Sequence, residues 1–159
     1  MNILGIDPGY GRVGWGVISK DGSKTKYIDC SCFETKVGLP FARRLELIYV
    51  EITTIIKKFE IEEVAIESLF FNTNAKTAIL AAHARGVIVL AGVQAGLPVF
   101  DYTPLQVKQA LLGYGRAEKK QVQTMVQFQL QLKEKVKQDD AADGLAIALT
   151  HAFTNQKLQ

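Results

Sequence analysis

The stretch Ile3-Leu4-Gly5-Ile6-Asp7-Pro8-Gly9-Tyr10-Gly11 constrains the chain more than any other. Its apolar start suits a short buried strand running into an acidic residue, and Pro8, Gly9 and Gly11 then break the strand and force a turn. Asp7 is thereby placed at a strand end. The glycines leave the main chain open to close approach by a phosphate, a metal or another strand. Taken alone, the motif also suits a turn-initiating Asp before Pro-Gly. Glu67, Asp140 and Asp143 add a second meaning, because they occur where carboxylates could converge on Asp7.

Beyond the turn, Val13, Trp15 and Val17 alternate with Arg12, Gly14 and Gly16, which is strand periodicity with small residues on one side. Lys20-Asp21-Gly22-Ser23 reads as a hairpin and the next strand spans residues 24–34, so the first three strands form an antiparallel meander. Pro40 opens a helix whose Phe41, Leu45, Ile48, Ile52, Ile55 and Phe59 share one buried face. Residues 64–67 form a fourth strand that, like the first, ends in an acid. If the two are parallel neighbours, Asp7 and Glu67 emerge at one edge.

Asn72-Thr73-Asn74 supplies a loop and a cap for a helix over 75–95 that is apolar nearly all round and needs cover on two sides. The sheet is one cover. A second subunit is the expected other, with Ala78, Ala82 and Gly86 allowing close approach; His83 is expected to find a hydrogen-bond partner near that contact. Residues 97–102 form a fifth strand, held to an edge by Pro98. Pro104 starts a short helix, residues 118–132 form another, and Asp139 or Asp140 caps a last one over 141–153. The order describes an α/β layer around a mixed five-stranded sheet, with one domain over 1–159.

Composition narrows the class rather than the function. At 48% hydrophobic and 22% charged, the chain is that of a folded protein, not a disordered one. A net charge of +3 is too small to mark a nucleic-acid binder. Its distribution says more: Lys108, Arg116, Lys119, Lys120, Lys133, Lys135 and Lys137 face only Glu118 and Glu134 in the same run, a local field that attracts phosphate backbones. Cys30 and Cys32 suggest neither a disulfide framework nor a zinc site. No leader pattern is visible, and no apolar run approaches the roughly 20 residues that span a bilayer, so a cytoplasmic chain without membrane contact is expected.

Asp140 and Asp143 are three apart on a helix and share a face at its positive end. Asp139, four before Asp143, shares that face as well. An ordinary helix cap with a first-turn companion is the bland reading of the pair. Four converging carboxylates with no matching local cluster of Lys or Arg ask for a divalent cation, and oxygen-only ligands favour Mg²⁺ or Mn²⁺ over zinc. Two such ions about 4 Å apart could activate a water and stabilise a leaving oxygen at a phosphodiester. His151 lies about 12 Å along the helix from Asp143 and is expected to be structural.

In chain order, Gly5-Ile6-Asp7-Pro8-Gly9, Ala65-Ile66-Glu67 followed by Phe70, Gln106-Val107-Lys108, Ala117-Glu118-Lys119 and Asp140-Ala141-Ala142-Asp143 resemble the motifs of the RuvC family of Holliday-junction resolvases. The resemblance covers nearly the whole chain. It implies a ribonuclease H-like fold, with the sheet flanked by helices, and a homodimer that uses Mg²⁺, two ions per subunit, to place symmetric nicks in a four-way DNA junction. Asp7, Glu67, Asp140 and Asp143 are then the metal-binding catalytic acids, the three-residue spacing selecting Asp140 over Asp139. Lys108 and Lys119 match lysines near the scissile phosphate, while Phe70, or Phe71 beside it, stacks on an unpaired base. Arg116 and Lys120 fit phosphate contacts. A branch-migration complex of the RuvA and RuvB type is the implied partner. Among rivals, a different ribonuclease H-like nuclease and a catalytically idle junction binder stay open, whereas an actin-like ATPase needs two domains and 159 residues are too few.

Overall fold

A computed structural model of the chain describes residues 1–69 and 75–154. Asn2–Asp7 (β1), Arg12–Asp21 (β2) and Lys24–Glu34 (β3) form the expected antiparallel meander. Phe41–Lys58 (α1) leads to Glu63–Glu67 (β4), Ala75–Gln94 (α2) to Val99–Tyr102 (β5), and Pro104–Leu112 (α3), Lys119–Gln129 (α4) and Asp139–Thr154 (α5) complete the order. One mixed sheet results, ordered β3-β2-β1-β4-β5, with β1 parallel to β4 and β5 at an edge. Phe70 and Phe71, with the cap read in Asn72-Thr73-Asn74, lie outside the described residues.

Strand parity assigns the two faces. Leu4, Ile6, Val13, Trp15, Val17, Val64 and Ile66 pack with α1 and α2. Ile3 and Ala65 point the other way, into a core built with α3, α4 and α5. Side chains alternate along a strand, so Gly5 and Asp7 follow Ile3, and Glu67 follows Ala65, onto the α5 face.

The glycines of that face admit a helix, not another strand. A Cβ on Gly5 would stand 2.1 Å from the Gly144 carbonyl oxygen, one on Gly14 2.0 Å from that of Asp140, and one on Gly16 2.6 Å from the Leu145 nitrogen. Real side chains cannot occupy such space, so α5 rests main chain to main chain on β1 and β2.

Several element ends differ from the sequence reading. The last helix starts at Asp139, because the Ala142 N–H already donates to the Gln138 carbonyl at 3.1 Å; Asp139 and Asp140 are first-turn residues, not caps before Ala141. α4 stops at Gln129 rather than 132, since Gln131 turns to a φ of 52°. The fifth strand begins at Val99, because the Leu97 N–H donates back to Gly92 to close the end of α2.

α2 is long and apolar enough to cross a bilayer by length and composition alone, which corrects the expectation that no stretch approaches that length. Alanines among its aliphatic residues raise its mean hydropathy without breaking the helix. Here it sets Ala84, Ile88, Ala91 and Gly92 into the core, and Arg85 pairs with Asp101 on β5. His83 is exposed, and its ring stands nearly perpendicular to that of Phe41 at a centroid distance of 5.1 Å.

Candidate active site

Three local devices bring the acids together. β1 and β4 run parallel and end side by side, so Asp7 and Glu67 emerge at one sheet edge on the same face. The glycine-lined contact lowers the first turn of α5 onto that edge. Asp140 and Asp143, three apart, then point the same way at the positive end of the helix.

Carboxylate oxygens of Asp7, Asp140 and Asp143 all lie within 4.8 Å of one another. Glu67 adjoins them through a side-chain hydrogen bond with Asp7. Asp139 turns elsewhere and accepts a hydrogen bond from Gln123 Nε2 at 2.9 Å, so its neighbour Asp140 meets Asp7.

The crowding shows in the protonation equilibria. Burial first, then the charges of Asp143 and Asp140, pushes the Asp7 pKa above the ordinary carboxylate range. Burial and then Asp7 and Asp143 do the same to Glu67, which shares a side-chain hydrogen bond with Asp7. Burial also raises Asp143, against the pull of Lys119. An all-oxygen donor set that must hold protons when alone fits a divalent cation, which replaces those protons with charge.

Two basic side chains reach the acids, fewer than the carboxylates they meet. Lys119 Nζ donates to Asp143 Oδ2 at 2.7 Å, and Arg12 Nη1 lies 3.8 Å from Asp140 Oδ2. Burial works against the Lys119 ammonium, but the hydrogen bond and charge of Asp143, with Asp139 and Asp140 behind it, outweigh that and raise its pKa. α3 carries in a second lysine. Thr103 and Gln106 form a reciprocal cap, Val107 anchors in the core, and Lys108 lines a cavity of about 170 Å³ with Glu67, Lys119 and Asp143. Arg116 and Lys120 are exposed on the approach to α4 and on its first turn.

Arg12 and Cys32 were not singled out for the site. Cys32 Sγ donates to Asp140 Oδ2 at 3.6 Å, and burial followed by that carboxylate pushes its thiol pKa up to about 11. Only the hairpin register, which pairs Arg12 with Glu34 and Gly14 with Cys32, could have pointed to either. His151 is structural, as expected: it is fully buried, shares a hydrogen bond of 2.7 Å with the Tyr102 hydroxyl and contacts Glu63 at 2.5 Å.

A mixed sheet with an acid ending each of two parallel strands, and a helix delivering two more, defines a nuclease of the ribonuclease H-like fold. The comparisons narrow the class. The chain belongs to the RuvC family, whose profile, crossover junction endodeoxyribonuclease RuvC, matches residues 3–151. A relative of that description from Clostridioides difficile is 54% identical over 156 residues, covering 98% of this chain and 92% of its own. The structure of Thermus thermophilus RuvC in complex with Holliday junction substrate matches with a TM-score of 0.93 and 38% identity, covering 99% of this chain and 96% of that one. The yeast mitochondrial Holliday junction resolvase Ydc2 shares the fold at a TM-score of 0.74 and 14% identity, covering 98% of this chain and 79% of its own.

Proposed function

We propose that this chain is a crossover junction endodeoxyribonuclease that resolves four-way DNA junctions in recombination and repair, each subunit of a homodimer nicking one strand. The observation that carries the reading is the convergence of Asp7, Glu67, Asp140 and Asp143 from three separate elements onto one sheet edge. Those four carboxylates would hold Mg²⁺, two ions per subunit, with Mn²⁺ able to substitute. When bound, such ions supply an activated water and charge compensation for the leaving oxygen, consistent with 5′-phosphate and 3′-hydroxyl products.

The protein's own contribution is positioning and charge. Lys119 holds Asp143 in place and, with Lys108 across the cavity, presents ammonium groups where negative charge grows on the phosphate. Arg12 and the Cys32 thiol steady Asp140 from the β2–β3 side. Phe70 or Phe71 would stack on the unpaired base beside this edge, and Arg116 and Lys120 would bind backbone phosphates. Exposed Ile79, Leu90 and Val93 on α2 favour a second copy as cover, and a two-fold dimer would match the symmetry of the junction. A branch-migration complex of the RuvA and RuvB type would deliver the substrate.

The test is cleavage of a mobile four-way junction by purified protein with Mg²⁺, beside an RNA–DNA hybrid and a flap. Two ligatable nicked duplexes from the junction are expected. Preference for the hybrid or the flap would replace this reading with a different ribonuclease H-like activity.

A further inference from the structure

The sheet edge opposite β5 is β3, whose outer side pairs with no other strand among the described residues. The connection between α4 and α5 runs past it instead, and the Cys32 N–H donates to Gln138 Oε1 at 3.0 Å. Between strand and connection lie two adjoining cavities of about 650 and 670 Å³ that share Tyr27, Leu132 and Lys133. Lys135 and Lys137 line the first, Lys24 and Lys26 the second. All five of these lysines are exposed. Lys58 pairs with Asp29 and Lys119 with Asp143, whereas among the described residues none of these five is paired with a carboxylate. Glu134 is the acidic residue lining this surface.

We propose that this basic groove is a second DNA contact, separate from the acid site, that takes the phosphate backbone of one duplex arm as it leaves the junction point. The inference rests on the functional reading above and extends it to a surface that reading does not use. Continuity is the first argument. Gln138 borders the groove and holds Cys32, whose thiol donates to Asp140, so the groove begins where the acid site ends. Length is the second. β3 from Cys32 back to Lys24 spans roughly 26 Å, about eight base-pair steps at 3.4 Å each. Charge is the third: unpaired ammonium groups strung along a line suit a repeating phosphate chain, and each phosphate neutralised releases counterions.

The test compares the parent with a Lys24→Gln, Lys26→Gln, Lys133→Gln variant, changed at the end of the groove far from the acid site, in binding to metal-free four-way junctions across a salt series. One junction has arms of about 20 base pairs; the other has arms of about 5, too short to reach along the groove. On long arms, the variant is expected to bind at least about ten-fold more weakly at moderate salt, with a salt slope shallower by about two to three. On short arms the two proteins bind alike. Matching thermal unfolding curves show that the variant is folded. Unchanged affinity and slope on long arms would overturn the proposal and leave the groove to an acidic protein surface. An equal loss on both substrates would overturn the placement of the arm. Nicking of the long-armed junction by the parent with Mg²⁺ reports on the functional reading separately, so the two failures are distinguishable.

Discussion

Gly14 and Asp140 lie main chain against main chain: a Cβ on the glycine would sit 2.0 Å from the Asp140 carbonyl oxygen. Gly5 and Gly16 repeat that contact farther along α5. The absence of side chains at these positions sets how far Asp140 and Asp143 stand from Asp7.

Gly14→Ala is therefore expected to lift the start of α5. The cost is about 1–3 kcal/mol in urea unfolding, and nicking falls further than the stability loss explains because Asp140 moves off Asp7. Gly86→Ala is the contrast. Within the subunit nothing lies within 4 Å of the added atom, so the monomer should gain about 0.5–1 kcal/mol as an exposed helical glycine does on replacement, while the close approach of a second copy over Gly86 should weaken.

Asp7→Asn should abolish cleavage, lowering the single-turnover nicking rate by on the order of 10²–10³ or more, while junction binding persists. It should also stabilise the metal-free protein. The raised pKa values of Asp7, Glu67 and Asp143 mean that the folded state binds protons more tightly than the unfolded one. Their contribution to stability is thus fullest below about pH 4, the ordinary carboxylate range, and is lost as pH rises through about 6 for Asp7 and about 8 for Glu67. In a chelator the melting temperature should carry this downward trend with pH. Mg²⁺ should offset it, and Asp7→Asn should flatten it and raise the neutral-pH value by about 2–4 °C. Thermal melts across pH, with and without Mg²⁺, check all three.

His151 acts in the opposite sense. Burial lowers its pKa against the pull of Glu63, so the unfolded chain takes up a proton first as pH falls. Its contribution is present above the unfolded value of about 6.5 and is lost below it. Tyr102→Phe removes the hydroxyl hydrogen-bonded to Nδ1 and should cost about 1–3 kcal/mol, measured by denaturant midpoint at pH 7.5. His151→Gln should weaken the dependence on acidification below about pH 6.5.

Leu90→Glu tests the proposed homodimer. Leu90 is 50% exposed within the subunit, so the fold should hardly notice the change, shifting by no more than about 0.5 kcal/mol. The dimer should dissociate at least about 100-fold more readily, read by light scattering against concentration. Junction products should shift from paired to single nicks.

Much of the fold was legible before any coordinates. Val13, Trp15 and Val17 showed their two-residue period, Ile48, Ile52 and Ile55 their helical one although Phe41 at its start is exposed, and Pro104 its helix start, because each signal is local and depends on which face of one element is buried. The parallel pairing that aligns Asp7 with Glu67 entered the sequence reading only as a condition, because a strand's own pattern does not name its neighbour. What a linear pattern could not decide was the rotation and height of α5 over the sheet. Asp139 and Asp140 are nearly equivalent by spacing, and only the close seating of the helix on Gly5, Gly14 and Gly16 turns Asp140 to the cluster and Asp139 to Gln123. The Lys119–Asp143 pair, the Cys32 contact to Asp140 and the Glu63–His151–Tyr102 chain were hidden for the same reason. Each joins residues at least 24 positions apart, and such contacts exist only once packing has chosen among the many arrangements that local propensity leaves equally favourable.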